Sequence, residues 1–251
     1  KVSKYLDWFK SDTDKNVELI SIRQLLTHSA GIVRDGDTQH WYDDKFPTLE
    51  QIKAKVKIGL TVFQPLERFK YSNFGFAILG EVIKAIGGET YNDYVTKHII
   101  EPLGLTHTFP DLDETNEKLL VSGYSKDVPG KDRYTFSKVK TYAMSPAAGF
   151  MSSASDMAKF LSSSFIGSGK LLTDESKLEM QRIHWHRGEN NDHYGLSYET
   201  WLVNNHRIFG HGGGFQGYMS KCGLDLTNKI GVQILTNSID SQPWKLMNGI
   251  Y

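Results

Sequence analysis

Tyr71-Ser72-Asn73-Phe74-Gly75 marks the point where a polar loop passes into an apolar segment. Apolar residues then recur close to every 3.6 positions until Gly87-Gly88, as in an amphipathic helix with a glycine C-terminus. The spacing predicts a helix from Phe74 to Ile86, with Tyr71 and Asn73 held at its entrance. Taken alone, Asn73 is typical of a helix N-cap and Tyr71 of a half-buried aromatic residue.

Other helix starts are marked by the capping box, in which a hydroxyl and a side chain three residues later satisfy free backbone N–H groups. Ser21-Ile22-Arg23-Gln24 and Thr48-Leu49-Glu50-Gln51 fit this pattern, and we expect these helices to end at Gly31 and Gly59. Three more helices are predicted from the sequence: Thr90 to Ile99, Ser155 to Phe165 and Thr173 to Ile183.

The last third of the chain changes to short β-rich runs separated by turn residues. These runs are Tyr194 to Trp201, Arg207 to Phe209, Gly217 to Leu226 and Lys229 to Thr236. Thr227-Asn228 predicts a tight hairpin, because Asn tolerates a positive φ. Helices first and an antiparallel meander last predict an α+β fold. We expect one domain over residues 1–251, with a helical lobe over about 15–185 and strands over about 193–237.

The balance of positive and negative residues limits the classes of binding partner that we expect. The 251 residues are 39% hydrophobic, enough for one sizeable core, and Lys plus Arg equals Asp plus Glu at 29 each. The chain therefore has no net positive charge that would favour binding to nucleic acid or to an anionic membrane surface. Small or neutral partners are expected.

Gly210-His211-Gly212-Gly213-Gly214-Phe215-Gln216-Gly217 is a second candidate site, because its glycines allow close approach to the backbone. Its G-x-G-x-x-G spacing also fits the dinucleotide fingerprint, but that motif opens a helix and Tyr218 begins a strand pattern. The oxyanion motif of lipase-like hydrolases is excluded too, since the chain has no Gly-x-Ser-x-Gly. A plain glycine-rich turn between strands remains the alternative.

The sequence gives little support for a metal site or for a reactive thiol. Four of the nine histidines cluster at His184, His186, His193 and His206, yet no His-Glu-x-x-His or His plus Cys spacing accompanies them. A zinc hydrolase is therefore the weakest hypothesis, and we expect no metal and no cofactor. The single Cys222 lies in an alternating run that is typical of a buried strand.

Five segments, in order, resemble the serine β-lactamase and penicillin-binding superfamily, in the branch of class C β-lactamases, D-aminopeptidases, DD-peptidases and esterases. They are Ile20 to Ile32 (Leu-Leu-x-His-x-Ser-Gly, with Ala30 for Ser), Tyr71 to Gly75 (Tyr-x-Asn), Glu101 to Leu105, Pro146 to Ser153 (Pro-Ala-Gly-Gly) and His211 to Gly213 (His-x-Gly). The resemblance implies a β-lactamase/transpeptidase-like fold, an antiparallel sheet flanked by a helical lobe. It also favours a location outside the cytoplasm.

The resemblance also implies roles for individual residues. Tyr71, helped by a Lys, would move the proton of a nucleophilic serine, and Asn73 would hold the substrate amide. His211 would orient a substrate carboxylate or the Tyr71 hydroxyl, with Gly212 and Gly213 beside the substrate. The N–H of Gly214 would contribute to the oxyanion hole.

The family's nucleophilic Ser-x-x-Lys is not found before Tyr71, since no Ser in the first 70 residues has a Lys three positions later. The only such pattern, Ser137-Lys138-Val139-Lys140, lies in a polar stretch and is better explained as a solvated basic run. We therefore expect the N-terminal part of the fold to be missing from this chain. A longer polypeptide or a second chain would complete it.

Two functions from different classes follow. The first is a serine hydrolase that acts on a small ester or amide, such as a β-lactam, a D-amino acid peptide or a short-chain ester. The second is a catalytically inactive relative that binds D-Ala peptides or peptidoglycan. Arg34 to Pro47 is a candidate specificity loop, although an ordinary surface loop explains its acidic and aromatic sequence equally well.

Overall fold

The computed structural model describes residues 1–187 and 192–251, which form two compact units. The first unit comprises Lys1–Ile99, Phe109–Leu112 and Val139–Phe150. The second comprises Ile100–Thr108, Asp113–Lys138 and the described residues of Met151–Tyr251. No helix within the described ranges is long and apolar enough to cross a membrane.

The first unit is helical. Its helices are α1 (Ile22–Leu26), α2 (His40–Asp43), α3 (Leu49–Ile58), α4 (Asn73–Gly87) and α5 (Tyr91–Val95). The predicted capping boxes are confirmed, with Ser21 and Gln24 at the start of α1 and Thr48 and Gln51 at the start of α3. Helix α4 packs against α1, α5 and the turn Ser145–Gly149, so it forms the centre of this unit.

Helix ends were predicted less well than helix starts. Helix α1 ends at Leu26 and not at Gly31, because His28 already adopts a left-handed φ of 53°. Helix α3 does end at Gly59, as expected. The helix predicted from Thr90 stops at Val95, where a π-helical turn, Thr96–Ile100, takes over.

The second unit contains α6 (Glu101–Leu103), α7 (Ala154–Ser163), α8 (Asp174–Gln181) and α9 (Pro243–Ile250). Its strands are β1 (Trp185–His186), β2 (His193–Tyr194), β3 (Glu199–Val203), β4 (His206–Phe215), β5 (Tyr218–Asp225) and β6 (Ile230–Thr236). They form one antiparallel sheet in the order β1-β2-β3-β4-β5-β6, so the predicted meander is confirmed. Helix α7 packs on β6, and α9 packs on β5 and β6.

Two strand predictions were wrong in extent. The run from Tyr194 to Trp201 is divided into β2 and β3 by a turn in which Ser197 has a φ of 66°. The strand predicted over Arg207 to Phe209 is β4, which continues through the glycines to Phe215. Sequence propensity gives glycine no strand signal, but pairing with β5 along the whole segment holds it extended.

The β5–β6 hairpin is confirmed, although its left-handed residue is Lys229, at a φ of 55°, and not Asn228. Asp225 organises the turn by accepting hydrogen bonds from the backbone N–H groups of Thr227 and Asn228, both at 3.0 Å. Burial raises the pKa of Asp225, but hydrogen bonds from Asn228 and His206 outweigh burial and hold the pKa at about 2. Asp225 is therefore ionised at neutral pH.

Gly80 allows α4 to approach the Pro146 turn closely, because a Cβ atom there would lie 2.3 Å from the Cγ atom of Pro146. We expect Gly80→Ala to destabilise the protein by about 1–3 kcal/mol, since a proline ring on a packed turn cannot swing away. Gly249→Ala is the matched control: Gly249 also lies in a helix, but nothing lies within 4 Å of its added Cβ. Helix propensity should make that variant as stable as the wild type or more so. Urea unfolding measures both, and a Gly80→Ala protein of wild-type stability would contradict the packing argument.

Candidate active site

Tyr71 and Asn73 lie at the entrance of α4, where the sequence predicted them. The N-cap is Ser72 and not Asn73: its Oγ accepts the Gly75 backbone N–H at 2.9 Å and donates to the Val33 carbonyl at 2.7 Å. The residue between Tyr71 and Asn73 is therefore structural, while the two residues beside it carry the candidate chemistry.

His28 supports Tyr71 from within the first unit. The two rings lie 4.2 Å apart, centroid to centroid, and the imidazole also contacts Phe69 and Phe76. The Nδ1 atom of His28 accepts the Ser72 backbone N–H at 3.1 Å, so this nitrogen carries no proton. The motif that ends in Ala30-Gly31 contained this residue, but its sequence alone did not indicate the contact with Tyr71.

Asn73 is 7% exposed and donates its Nδ2 to the Oδ1 of Asp35 at 2.7 Å. The Nε of Arg34 lies 3.2 Å from the Oδ2 of Asp35, and its guanidinium lies over the Tyr71 ring at 5.5 Å. His40, in the same loop, has no exposed surface. The start of the Arg34 to Pro47 segment therefore contacts both residues of the motif.

His211, Gly212, Gly213 and Gly214 lie in the second unit, in β4. Strand β3 pairs with β4 only as far as Gly210, whereas β5 pairs with it up to Phe215. Along an antiparallel ladder, residue pairs that are hydrogen-bonded alternate with pairs that are not. Phe215 and Tyr218 close a two-residue hairpin, and such a closing pair is hydrogen-bonded. The backbone groups of Gly212 and Gly214 therefore face away from β5, beyond the end of β3. The N–H of Gly214 thus points away from β5, and no other strand of the described residues pairs with β4 at this position.

The protonation state of His211 is set by its surroundings. Burial lowers its pKa, while the nearby Glu199 carboxylate acts in the opposite direction. The net shift is downward, so His211 is mostly neutral at pH 7. Its Nδ1 lies 2.6 Å from the Gly212 carbonyl oxygen and must donate to it, which leaves the lone pair on Nε2.

An ion cluster lies beside these glycines. The Nζ of Lys221 lies 2.7 Å from Glu199 Oε2, and Arg187 NH1 lies 3.3 Å from Glu199 Oε1. A Cβ at Gly212 would lie 3.4 Å from the Cδ of Lys221, an ordinary contact distance, so the lysine side chain passes close beside this glycine as it reaches across β4. Sequence analysis missed Glu199 and Lys221, since nothing in their local sequence marks them as partners.

The other candidates from the sequence are the Ser-x-x-Lys pattern, the single cysteine and a metal site. Ser137 and Lys140 are exposed in an irregular segment, and the Lys140 ammonium lies over the Tyr142 ring at 5.6 Å. Burial raises the pKa of the Cys222 thiol, which keeps it protonated and a poor nucleophile. Across residues 1–187 and 192–251, no group of three or more His, Cys, Asp or Glu side chains is arranged to hold a metal ion.

The Glu199 carboxylate provides a test of the His211 environment. We expect the His211 pKa to fall further in Glu199→Gln, because the imidazolium loses a nearby negative charge and keeps Lys221 and Arg187 as neighbours. NMR titration of the imidazole protons measures this shift. Glu179→Gln is the matched control, since Glu179 lies 3.8 Å from His184 and should leave His211 unchanged. An unchanged or raised pKa of His211 in Glu199→Gln would refute the electrostatic account.

Comparisons with known proteins identify the family of this chain. The family model described as Beta-lactamase matches residues 1–248. The Protein flp of Staphylococcus aureus (strain N315) is 26% identical over 242 residues, 94% of this chain and 47% of that protein. A putative D-alanyl-D-alanine carboxypeptidase of Escherichia coli (strain K12) is 31% identical over 118 residues, 43% of this chain and 26% of that protein.

Among solved structures, a D-stereospecific amidohydrolase from Streptomyces sp. superposes with a TM-score of 0.78 at 25% identity. That alignment covers 95% of this chain and 74% of the amidohydrolase. The chain spans about half the length of the Protein flp sequence that it matches. The predicted β-lactamase/transpeptidase-like fold is confirmed, and the chain belongs to the β-lactamase family.

Proposed function

We propose that the protein containing this chain is a serine hydrolase that cleaves small amides, esters or β-lactams through an acyl-enzyme intermediate. Family membership supports hydrolysis of amides or β-lactams, as do a structural relative described as an amidohydrolase and a sequence relative described as a carboxypeptidase. The observation that carries the proposal is the open edge of β4, where the Gly214 N–H points away from β5.

The reaction has two steps. A serine Oγ attacks the acyl carbon, the bond to the leaving nitrogen or oxygen breaks, and Tyr71 passes the serine proton to the leaving group. Water then attacks the ester carbon, and Tyr71 takes a proton from that water and delivers it to the serine Oγ as the ester C–O bond breaks and the acid is released. The Gly214 N–H stabilises the oxyanion in both steps, while Asn73, Gly212 and Gly213 hold the substrate.

The neutral state of His211 favours one of its two expected roles. An imidazole with a lone pair on Nε2 accepts a hydrogen bond from a hydroxyl but repels a carboxylate. The neutral imidazole of His211 therefore suits a hydroxyl partner better than an anionic substrate group.

The nucleophile belongs, in this proposal, to a Ser-x-x-Lys outside the 251 residues. We expect this motif either elsewhere in the same polypeptide or in a partner chain. The exposed positions of Ser137 and Lys140 give no reason to assign the role to them.

Labelling with a fluorescent penicillin or a fluorophosphonate separates the hydrolase from the inactive binder, because stable labelling requires an activated serine. We expect the full-length gene product to be labelled, and Tyr71→Phe to slow labelling by about 10²–10⁴-fold through loss of proton transfer. Tyr42→Phe is the matched control, since Tyr42 is 87% exposed, and it should label at the wild-type rate.

The opposite outcomes are equally clear. A full-length product that binds D-Ala peptides without being labelled would favour the inactive relative. Labelling that persists at the wild-type rate in Tyr71→Phe would remove the proposed role of Tyr71. Loss of hydrolysis in EDTA would revive the zinc hydrolase.

A further inference from the structure

We infer that Asp35 is a positioning residue that fixes the side-chain amide of Asn73 so that its Oδ1 is presented to an N–H donor on the substrate. The inference rests on the proposed function for the role of Asn73 in binding. It adds a residue that sequence analysis did not single out, together with a chemical preference in the substrate.

The contact itself determines the orientation of the amide. An ionised carboxylate can only accept hydrogen bonds, so the Asn73 atom that lies 2.7 Å from Asp35 Oδ1 must be Nδ2. The usual ambiguity between the oxygen and nitrogen of an amide does not arise here. Because a hydrogen bond to a charged group is among the stronger ones, the flipped amide is strongly disfavoured.

Asp35 is itself held in place by side chains. Its Oδ2 lies 3.2 Å from the Nε of Arg34, and its Oδ1 lies 3.9 Å from the Nε2 of His40. His40 is fully buried, and its Nδ1 lies 2.7 Å from the Thr38 hydroxyl, so the imidazole is a fixed wall behind the carboxylate. Only 20% of the Asp35 side chain is exposed, so few water molecules can compete for its hydrogen bonds.

The backbone also holds this loop against the start of α4. The Val33 carbonyl accepts the Ser72 hydroxyl at 2.7 Å, and the Arg34 carbonyl accepts the Phe74 N–H at 2.9 Å. Asp35 follows directly in the chain, so its Cα cannot drift from Asn73 without breaking these bonds. This is how a supporting residue keeps a binding group within the narrow tolerance that recognition needs.

The chemical consequence concerns the substrate. With one of its two Nδ2 protons committed to Asp35, the Asn73 amide is fixed so that its carbonyl oxygen points away from the carboxylate and can accept a hydrogen bond. An acyl group that carries an N–H, such as the ammonium of a D-amino acid amide, supplies the donor. An acyl group of the same shape without nitrogen does not.

The orientation is tested by NMR on the full-length gene product labelled with [15N]asparagine, with Asn73→Asp identifying the Asn73 signal. We expect one Nδ2 proton of Asn73 to be shifted downfield by the carboxylate, and the shift to be lost in Asp35→Leu. Asp35→Asn keeps the side-chain size and should also change the signal, which covers a failure of Asp35→Leu to fold. Asp37→Asn is the matched control, because Asp37 lies in the same loop but pairs with Lys55.

The substrate preference is tested with D-alanine p-nitroanilide and its des-amino analogue, propionic acid p-nitroanilide. We expect Asp35→Leu to lower kcat/KM for the first by about 10-fold or more and for the second by less than about 3-fold, since only the first uses the Asn73 oxygen. Asp37→Asn should change neither.

The possible outcomes distinguish a failure of the inference about Asp35 from a failure of the proposed function. Equal losses on both substrates, or an Asn73 signal that is unchanged in Asp35→Leu, would overturn the inference about Asp35. If the wild-type gene product hydrolyses neither compound and resists labelling, the proposed function fails instead. The NMR signal then decides whether Asp35 orients Asn73.

Discussion

The hydrogen bonds of Ser72 are the constraint on which the candidate residues of the first unit depend. Its hydroxyl bridges the Gly75 N–H and the Val33 carbonyl, and its backbone N–H bonds to His28. An N-cap contributes about 1 kcal/mol, and each further buried hydrogen bond contributes a similar amount. These bonds fix the backbone between Tyr71 and Asn73, so both side chains leave the entrance of α4 in defined directions.

The candidate residues of the second unit depend on the glycines of β4 and on the extent of β3. A Cβ at Gly210 would lie 2.1 Å from the Cys222 carbonyl oxygen, and one at Gly213 would lie 2.6 Å from the Ser220 Oγ, so packing against β5 requires both glycines. Strand β3 begins at Glu199, opposite Gly210, and within the described residues it does not pair with the β4 backbone beyond that point. Packing against β5 and access to the backbone together explain the run of glycines, without any need for a nucleotide.

Features that depend on residues close together in the sequence were predicted, whereas features that depend on distant residues were not. Capping boxes at Ser21 and Thr48 join residues three positions apart, so the sequence contains the whole interaction. The end of α1 depends on a left-handed His28, which packs on the distant Tyr71, and no local signal announces it. Asp35 bonds to Asn73 across 38 positions and Lys221 to Glu199 across 22, so these partners become visible only in the folded chain.

Tyr71, Asn73, His211 and the glycines were identified as candidates because they match motifs that resemble those of the family. The residues that hold them were not, and they share one arrangement. In the first unit a carboxylate, Asp35, binds Asn73 and is balanced by Arg34. In the second unit Glu199 is balanced by Lys221 and Arg187 and acts on the neutral His211.

This arrangement has a physical rationale. A bare carboxylate at the reacting centre would repel a developing oxyanion, whereas an ion pair set back behind a neutral group adds little net charge. In the proposed reaction, the Asp35–Arg34 pair fixes the Asn73 amide through a direct hydrogen bond, so that dipole needs no reorganisation when a substrate arrives. The Glu199 cluster acts on His211 through its charge alone, so charged residues that no motif contains influence both candidate motifs, by contact in one unit and by electrostatics in the other.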